Sequence, residues 1–284
     1  MDTIASLVST EWLADRLDDP ALRLLDASRH LPATGRDARS EFEAAHIPGA
    51  RFLDLASLTD PASPVPAALP TGEQVAARLA ALGVGTDDAI VLYDDSDVKT
   101  SARAWFALTE TGRGKVAILD GGLARWRKQG RPLESGMPQP DRAQPAALHP
   151  ARRVRSKADM LANCESLREQ VLDARSADRV FGTGEDPVHG GANGRLPGSL
   201  NLPFGDLFDT DGTFKSPQEL RAAFEAADVD LSRPVVTTCG SGVTASVLLF
   251  ALDLIGHDNS ALYDGSWMEW SADPATPKTQ GSPK

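Results

Sequence analysis

The chain states one pattern twice, and any fold it adopts must be built twice. Leu24-Leu25-Asp26-Ala27-Ser28 recurs as Val171-Leu172-Asp173-Ala174-Arg175 at an offset of 147. His46-Ile47-Pro48-Gly49-Ala50 recurs as Arg195-Leu196-Pro197-Gly198-Ser199 at 149, and Ile118-Leu119-Asp120-Gly121-Gly122 as Leu262-Tyr263-Asp264-Gly265-Ser266 at 144. Constant order with small drift marks two copies of one domain rather than the turns of a solenoid. Each copy alternates short apolar runs with helical patterns, which predicts an α/β fold with a mainly parallel sheet covered by helices on both faces. Strands are expected at Leu22–Asp26, Ala50–Leu53, Ile90–Tyr93 and Val116–Leu119, then at Val171–Asp173, Ser199–Leu202, Val235–Thr238 and Ala261–Tyr263. The clearest helices are Glu73–Leu82, Ser101–Thr109 and Gly122–Lys128 in the first copy, with Pro217–Ala227 and Val243–Leu254 in the second. Ser216 before Pro217 is an N-cap followed by proline at the first helical position.

The copies are expected at residues 8–130 and 153–272. Between them the run from Gly130 to about Pro150 is rich in proline and polar residues and reads as an extended linker, residues 131–152. The tail, 273–284, reads as a frayed, flexible end.

The second copy carries the chemistry. The apolar run Val235-Val236-Thr237-Thr238 ends in Cys239, the turn Gly240-Ser241-Gly242 follows, and Val243 opens an apolar helix. A cysteine at a strand-to-helix turn faces the unpaired N–H groups of the first helical turn and the positive end of the helix dipole. Both favour the nucleophilic thiolate. Gly240 and Gly242 let the backbone curl around the sulfur, so that the amides of about Gly240 to Thr244, Val243 included, can point at it. The bland reading of Cys239 is a small core residue, but Gly-Ser-Gly is poor core filler. Ser241 and Thr244 either serve the reaction with their hydroxyls or cap the helix. The other cysteine, Cys164, falls in a helical pattern and reads as a packed residue.

Composition narrows the class further. The chain of 284 residues is 41% apolar and 24% charged, enough for two ordinary cores. It has no run of eighteen apolar residues, so no membrane span is expected. The N-terminus has neither the basic flank nor the apolar segment of a secretory signal. A net charge of −11 without a basic stripe argues against nucleic acid and anionic lipid. Two cysteines do not make a disulfide framework, so both are expected as thiols in a cytoplasmic protein. The histidines, at 30, 46, 149, 189 and 257, have no ligand spacing, so a metal site is not expected.

Together the duplication and the cysteine loop resemble the rhodanese superfamily, specifically the two-domain thiosulfate and 3-mercaptopyruvate sulfurtransferases. The resemblance runs from about Val8 to Ala272. It is carried by Leu172-Asp173-Ala174-Arg175-Ser176, Leu196-Pro197-Gly198-Ser199-Leu200-Asn201, Cys239-Gly240-Ser241-Gly242-Val243-Thr244-Ala245 and Tyr263-Asp264-Gly265-Ser266-Trp267. It implies two tandem rhodanese-like domains, the second catalytic, with Cys239 holding the transferred sulfur as a persulfide. In the first copy Asp94 falls where the cysteine should be, which implies an inactive, structural copy. Thiosulfate-preferring members carry cations just after the cysteine. Gly240 and Ser241 stand there in this chain, which resembles the mercaptopyruvate group. Arg179 matches the arginine that holds the substrate carboxylate; its alternative is a surface ion pair with Asp178 or Glu185.

The chain departs from that pattern at several positions. The second substrate arginine is replaced by Val188, followed by His189, which either contributes a donor or is a mobile surface histidine. The aspartate and histidine often supplied by the first copy read Ala56 and Ala67, and the histidine of the second Pro-Gly motif reads Arg195. The resemblance implies ping-pong transfer from a small anionic donor, 3-mercaptopyruvate favoured, to a thiol, cyanide or a thioredoxin-like acceptor, without cofactor; for a chain of two domains a monomer is the simplest expectation. Thiosulfate as donor, and a non-catalytic sulfur carrier or persulfide sensor, are the alternatives. A cysteine phosphatase would need an arginine where Ala245 stands.

Overall fold

The computed structural model describes residues 4–148 and 153–281. They divide into two compact units. The first holds residues 4–60, 69–148 and 210–214, and the second holds 61–68, 153–209 and 215–281.

In the first unit, strands β1 (Leu7–Val8), β2 (Leu22–Asp26), β3 (Arg51–Phe52), β4 (Ala89–Tyr93) and β5 (Val116–Leu119) form a five-stranded parallel sheet of order β1-β5-β4-β2-β3. Helices α1 (Thr10–Ala14), α2 (Ala38–Ala44), α3 (Gly72–Ala81), α4 (Ser101–Glu110) and α5 (Gly122–Lys128) connect the strands. The inner strands are almost wholly apolar and buried, as a parallel sheet covered on both faces requires. One core cluster gathers Leu13, Leu24, Phe42, Val91, Tyr93, Leu119 and Trp126.

The second unit repeats the plan. Strands β6 (Val154–Arg155), β7 (Gln170–Asp173), β8 (Leu200–Asn201), β9 (Val235–Thr238) and β10 (Ser260–Tyr263) pair in the order β6-β10-β9-β7-β8, again parallel. Helices α6 (Lys157–Ser166), α7 (Ala177–Phe181), α8 (Pro217–Ala226), α9 (Val243–Leu254) and α10 (Ser266–Ala272) surround it. Ser216 caps α8 and forms a reciprocal capping box with Glu219. Cys164 lies on α6 against the core that includes Met160, Tyr263, Trp267 and Trp270.

The duplication is preserved in register. Asp26 pairs with Tyr93 and Asp173 with Thr238, so Asp94 and Cys239 leave the carboxyl end of the central strand at the same point. That end is where ligands bind in open parallel sheets.

Three features differ from expectation. The two-residue edge strands β1 and β6 are too short to show any alternation in sequence. The segment predicted as a linker is strapped to its unit as far as Ala143. Glu134 bridges His46 in antiparallel fashion, Gly136 N–H donates to the Glu43 carbonyl at 2.7 Å, and Ala143 N–H donates to the Ala80 carbonyl at 2.9 Å. The tail is not frayed through residue 281. Thr276 is buried and donates to the Trp270 carbonyl, and Thr279 and Arg195 exchange backbone hydrogen bonds at 2.9 and 3.0 Å. The indole of Trp270 donates to the Pro277 carbonyl, and the Arg195 guanidinium, stacked on Phe181, donates to the Gly281 carbonyl. Proline and threonine here make an ordered strap because backbone groups of the 193–195 segment need partners. The ends of these two predicted segments, 149–152 (with His149) and 282–284, lie outside the described residues.

The first unit buries acids that its counterpart either neutralises or replaces. Ser28 stands where the second copy has Arg175, so Asp26 and Asp94 face each other without that guanidinium. Burial pushes the Asp26 carboxyl up to about 6, against the hydrogen bonds from Ser28 and with the Asp94 charge adding to it. A raised carboxyl means that the fold binds the proton more tightly than the unfolded chain. Stability therefore falls as pH rises from about 4 to about 6, and the penalty is complete above that. Asp26→Asn is expected to leave stability at pH 4 unchanged and to raise it at pH 7 by up to about 3 kcal/mol. Urea unfolding of both proteins across this range checks it; a gap independent of pH would contradict the assignment.

Candidate active site

The site is assembled at the carboxyl end of β9. Cys239 is buried, and the amide of Gly242 donates to its sulfur at 3.1 Å. Gly242 takes φ +81° and is the N-cap of α9, with no side-chain capping bond. Left-handed backbone at this point lets the amide turn back on the sulfur, and only glycine does so without strain. Helix capping is thus done by geometry and the sulfur, not by Ser241 or Thr244, which lie half-buried on the loop and on the first turn of α9. Val243 opens that helix and is half-buried as well.

The start of α10 clamps the other side of the loop. Trp267 N–H donates to the Cys239 carbonyl and Met268 N–H to the Gly240 carbonyl, both at 2.9 Å. In trans peptides the N–H points opposite to the C=O, so the amides of Gly240 and Ser241 are turned away from α10. Buried Ser266, at φ +50°, accepts from the Cys239 amide at 3.3 Å and donates to the Tyr263 carbonyl at 2.9 Å. A serine held in the left-handed region at this junction costs backbone strain, offset here by two buried hydrogen bonds.

An ionic chain runs behind the sulfur. The fully buried Arg175 guanidinium takes both oxygens of Asp173, donates to the Gly194 carbonyl at 2.7 Å, and lies 4.8 Å over the Trp267 ring. Burial works against its charge, but Asp173, Cys239 and Asp186 outweigh burial and hold the guanidinium pKa up. Arg175 therefore places a positive charge within electrostatic reach of Cys239. Its Nη1 has no hydrogen-bond partner among the described residues and lies 3.7 Å from Asp186.

Asp186 joins this cation to the next one. Its carboxylate receives Arg179 in a fork, Nε to Oδ1 at 3.0 Å and Nη2 to Oδ2 at 2.7 Å, together with the amides of Val188 and His189. Burial raises the Asp186 pKa, but Arg179 and those two amides prevail, so the carboxyl sits below its usual range. The partner of Arg179 is thus Asp186 rather than Asp178 or Glu185, and the pair leaves Nη1 of Arg179 unspent on it.

Gly240 shows how tightly these groups converge. A Cβ there would lie 2.1 Å from both Cδ2 and Nε2 of His189 and 3.3 Å from Nη2 of Arg179. His189 is therefore not a mobile surface group; its ring rests on the residue after the nucleophile. Burial, then the charges of Arg179 and Arg175, depress its pKa against the pull of Asp186. The shift favours the neutral imidazole.

All eight sequence-predicted site residues fall in this unit, and Cys239, Gly240, Gly242, Arg179 and His189 converge on the loop. Val188 is 42% exposed. Arg175, Asp186 and Ser266 were given no role by the sequence reading. Arg175 left one signal: the first copy lost its arginine and its cysteine together, to Ser28 and Asp94. There, the Asp94 carboxylate fills the cradle itself, accepting from the amides of Ser96 and Ser101 at 2.8 Å. Among the described residues, no three His, Cys, Asp or Glu side chains are grouped to hold a metal ion. No described helix is long and apolar enough to cross a membrane.

A family model described as a rhodanese-like domain matches the chain twice, over residues 9–129 and 156–273. The chain belongs to the rhodanese family. Among curated relatives, the 3-mercaptopyruvate sulfurtransferase of Homo sapiens is 44% identical over 272 residues, covering 93% of this chain and 91% of the human protein. The thiosulfate sulfurtransferase of Bos taurus is 39% identical over 288 residues, covering 97% and 96%. The crystal structure of SseA, a 3-mercaptopyruvate sulfotransferase from Escherichia coli, aligns with a TM-score of 0.84 at 35% identity. That alignment covers 93% of this chain and 99% of SseA. These alignments run through both copies of the chain and over more than nine-tenths of each relative.

Proposed function

We propose that this rhodanese is a sulfurtransferase that moves a sulfane sulfur from 3-mercaptopyruvate, through a persulfide on Cys239, to a thiol or cyanide. The observation that carries the reading is the buried Cys239 sulfur, held by the Gly242 amide with the Arg175 charge behind it. Similarity to sulfurtransferases over more than nine-tenths of the chain supports the same activity.

Each site residue has a role in this proposal. The Cys239 thiolate attacks the donor sulfur; an S–S bond forms, the C–S bond breaks, and its electron pair leaves on carbon as the enolate of pyruvate. The amides of Gly240, Gly242 and Val243 hold the persulfide, with the hydroxyls of Ser241 and Thr244 at the loop. Arg179 offers its unspent edge to the donor carboxylate, a planar match for a guanidinium. An acceptor thiolate, free or on a thioredoxin-like protein, or cyanide, then takes the outer sulfur and regenerates Cys239. Residues 153–272 are the catalytic copy. Residues 8–130 are inactive, because Asp94 cannot hold a sulfane sulfur.

The neutral Gly240-Ser241 pair favours a donor with one carboxylate over the thiosulfate dianion. Similarity to the Bos taurus enzyme keeps thiosulfate as the second donor. Two free cysteines support a reducing compartment such as the cytoplasm. Every group invoked lies in one unit, so a monomer suffices.

Arg179→Gln is expected to raise KM for 3-mercaptopyruvate about tenfold to a hundredfold, the loss of one charge-assisted contact worth about 1.5–3 kcal/mol. Steady-state pyruvate release checks it. An unchanged KM would remove Arg179 from the donor site. Persulfide formation without any turnover would leave a sulfur carrier.

A further inference from the structure

Sulfur removal from 3-mercaptopyruvate has a proton problem that the roles above leave unsolved. The donor enters with hydrogen on sulfur, and pyruvate leaves with that hydrogen count on carbon. The thiol proton must come off as the S–S bond forms, and a proton must reach the methylene carbon as the C–S bond breaks. The enolate becomes pyruvate only when its methylene carbon is protonated, and a positioned acid that supplies this proton as the C–S bond breaks lowers the barrier. Thiosulfate makes no such demand, because sulfite departs without a proton.

Of the side chains this structure sets against the loop, Arg175 and Arg179 are donors only, and the hydroxyls of Ser241, Thr244 and Ser266 are alcohols, too weakly acidic and basic to hold a proton in transit near pH 7. Asp186 is fully engaged by Arg179 and two amides. His189 remains. Its Nε2–Cδ2 edge faces Gly240, the residue after the nucleophile. Its backbone is fixed by the amide bonds of Val188 and His189 to Asp186, 2.9 and 3.3 Å.

We propose that His189 is the proton carrier of the first half-reaction, taking the donor's thiol proton and returning it to the methylene carbon of the departing enolate. This rests on the sulfurtransferase reading above. The step balances: Cys239 thiolate and neutral thiol give the Cys239 persulfide anion and pyruvate, with the proton moved from sulfur to carbon and His189 restored to its starting form. No oxidant or reductant enters. The carrier must be neutral before the donor binds. Burial first, and then the charges of Arg179 and Arg175 against that of Asp186, shift the imidazole toward that neutral form. The role also ties the imidazole to donors whose leaving group is a carbon base.

The test uses the full-length protein with 3-mercaptopyruvate, reading pyruvate. His189→Ala and His189→Gln are expected to lower kcat about a hundredfold, with KM changed less than threefold. Added imidazole should restore His189→Ala at least about tenfold, in proportion to its free-base fraction, because the small base can occupy the vacated space. His189→Gln keeps the bulk of the ring and guards against a folding defect, which equal melting temperatures would exclude. The inference is overturned if kcat survives in both variants, if KM alone rises, or if imidazole restores nothing. A wild-type protein that releases no pyruvate would overturn the donor reading and this inference together. An active wild type with indifferent variants would overturn this inference alone.

Discussion

Arg175→Met is expected to destabilise the second unit by about 3–5 kcal/mol and leave the first unit as stable as before. The reason lies in what the substitution strands. Asp173 and Asp186 are both fully buried, and each is paired with the Arg175 guanidinium, at 2.6 and 3.7 Å. Removing the cation leaves Asp173 with an uncompensated charge in low dielectric, whereas Asp186 keeps Arg179. Methionine approximates the stem of arginine, so lost packing is a minor part of the effect. Hydrogen exchange localises the result within a chain of two units. Amides of β7 and β9 should exchange roughly a hundredfold to several thousandfold faster, and those of β4 and β5 at the original rate. Adding Asp173→Asn should recover part of the loss, because the stranded charge is then removed too. Unchanged exchange in β7 and β9 would show that the buried ion pair contributes nothing there.

Cys239→Ser is expected to abolish sulfur transfer, at least about 10⁴-fold in kcat, from either donor. Serine fits the site, since the Gly242 amide can donate to Oγ as it does to Sγ, and stability should change by no more than about 1 kcal/mol. The chemistry does not survive. A hydroxyl stays protonated at pH 7, and an oxygen cannot carry the sulfane sulfur that the second half-reaction hands on. Residual transfer within tenfold of wild type would mean that sulfur travels by another route. The only other cysteine in the chain, Cys164, is the place to look for it.

Much of this architecture was legible from the sequence because it depends on patterns that repeat. The runs at Ile90–Tyr93 and Val235–Thr238 are strands buried on both faces, and a buried parallel strand has little else it can be. The cysteine loop was legible because Gly-Ser-Gly between a strand and an apolar helix has few structural uses. Features held by long-range contacts were hidden. Nothing local marks Leu7–Val8 or Val154–Arg155 as strands; only pairing with β5 and β10 makes them so. The tail was misread because its proline and threonine content resembles a frayed end, while its order comes from backbone bonds to Arg195. His189 was ambiguous because its glycine-rich neighbours signal mobility. The group that immobilises it, Asp186, acts through the backbone and leaves no motif. Arg175 was readable in principle. An arginine two residues after a buried aspartate in one copy, absent from the copy that also lacks the cysteine, points to a cation kept for the sulfur.

The central claim is that Cys239 holds the sulfur in transit. Mass analysis of the intact protein and its peptides, after incubation with 3-mercaptopyruvate and before any acceptor is added, tests this most directly. The account predicts the mass of one added sulfur atom on the peptide containing Cys239, its loss on adding cyanide with thiocyanate appearing, and no change at Cys164. An unmodified Cys239 peptide in protein that is turning over, or the added sulfur at Cys164, would contradict it.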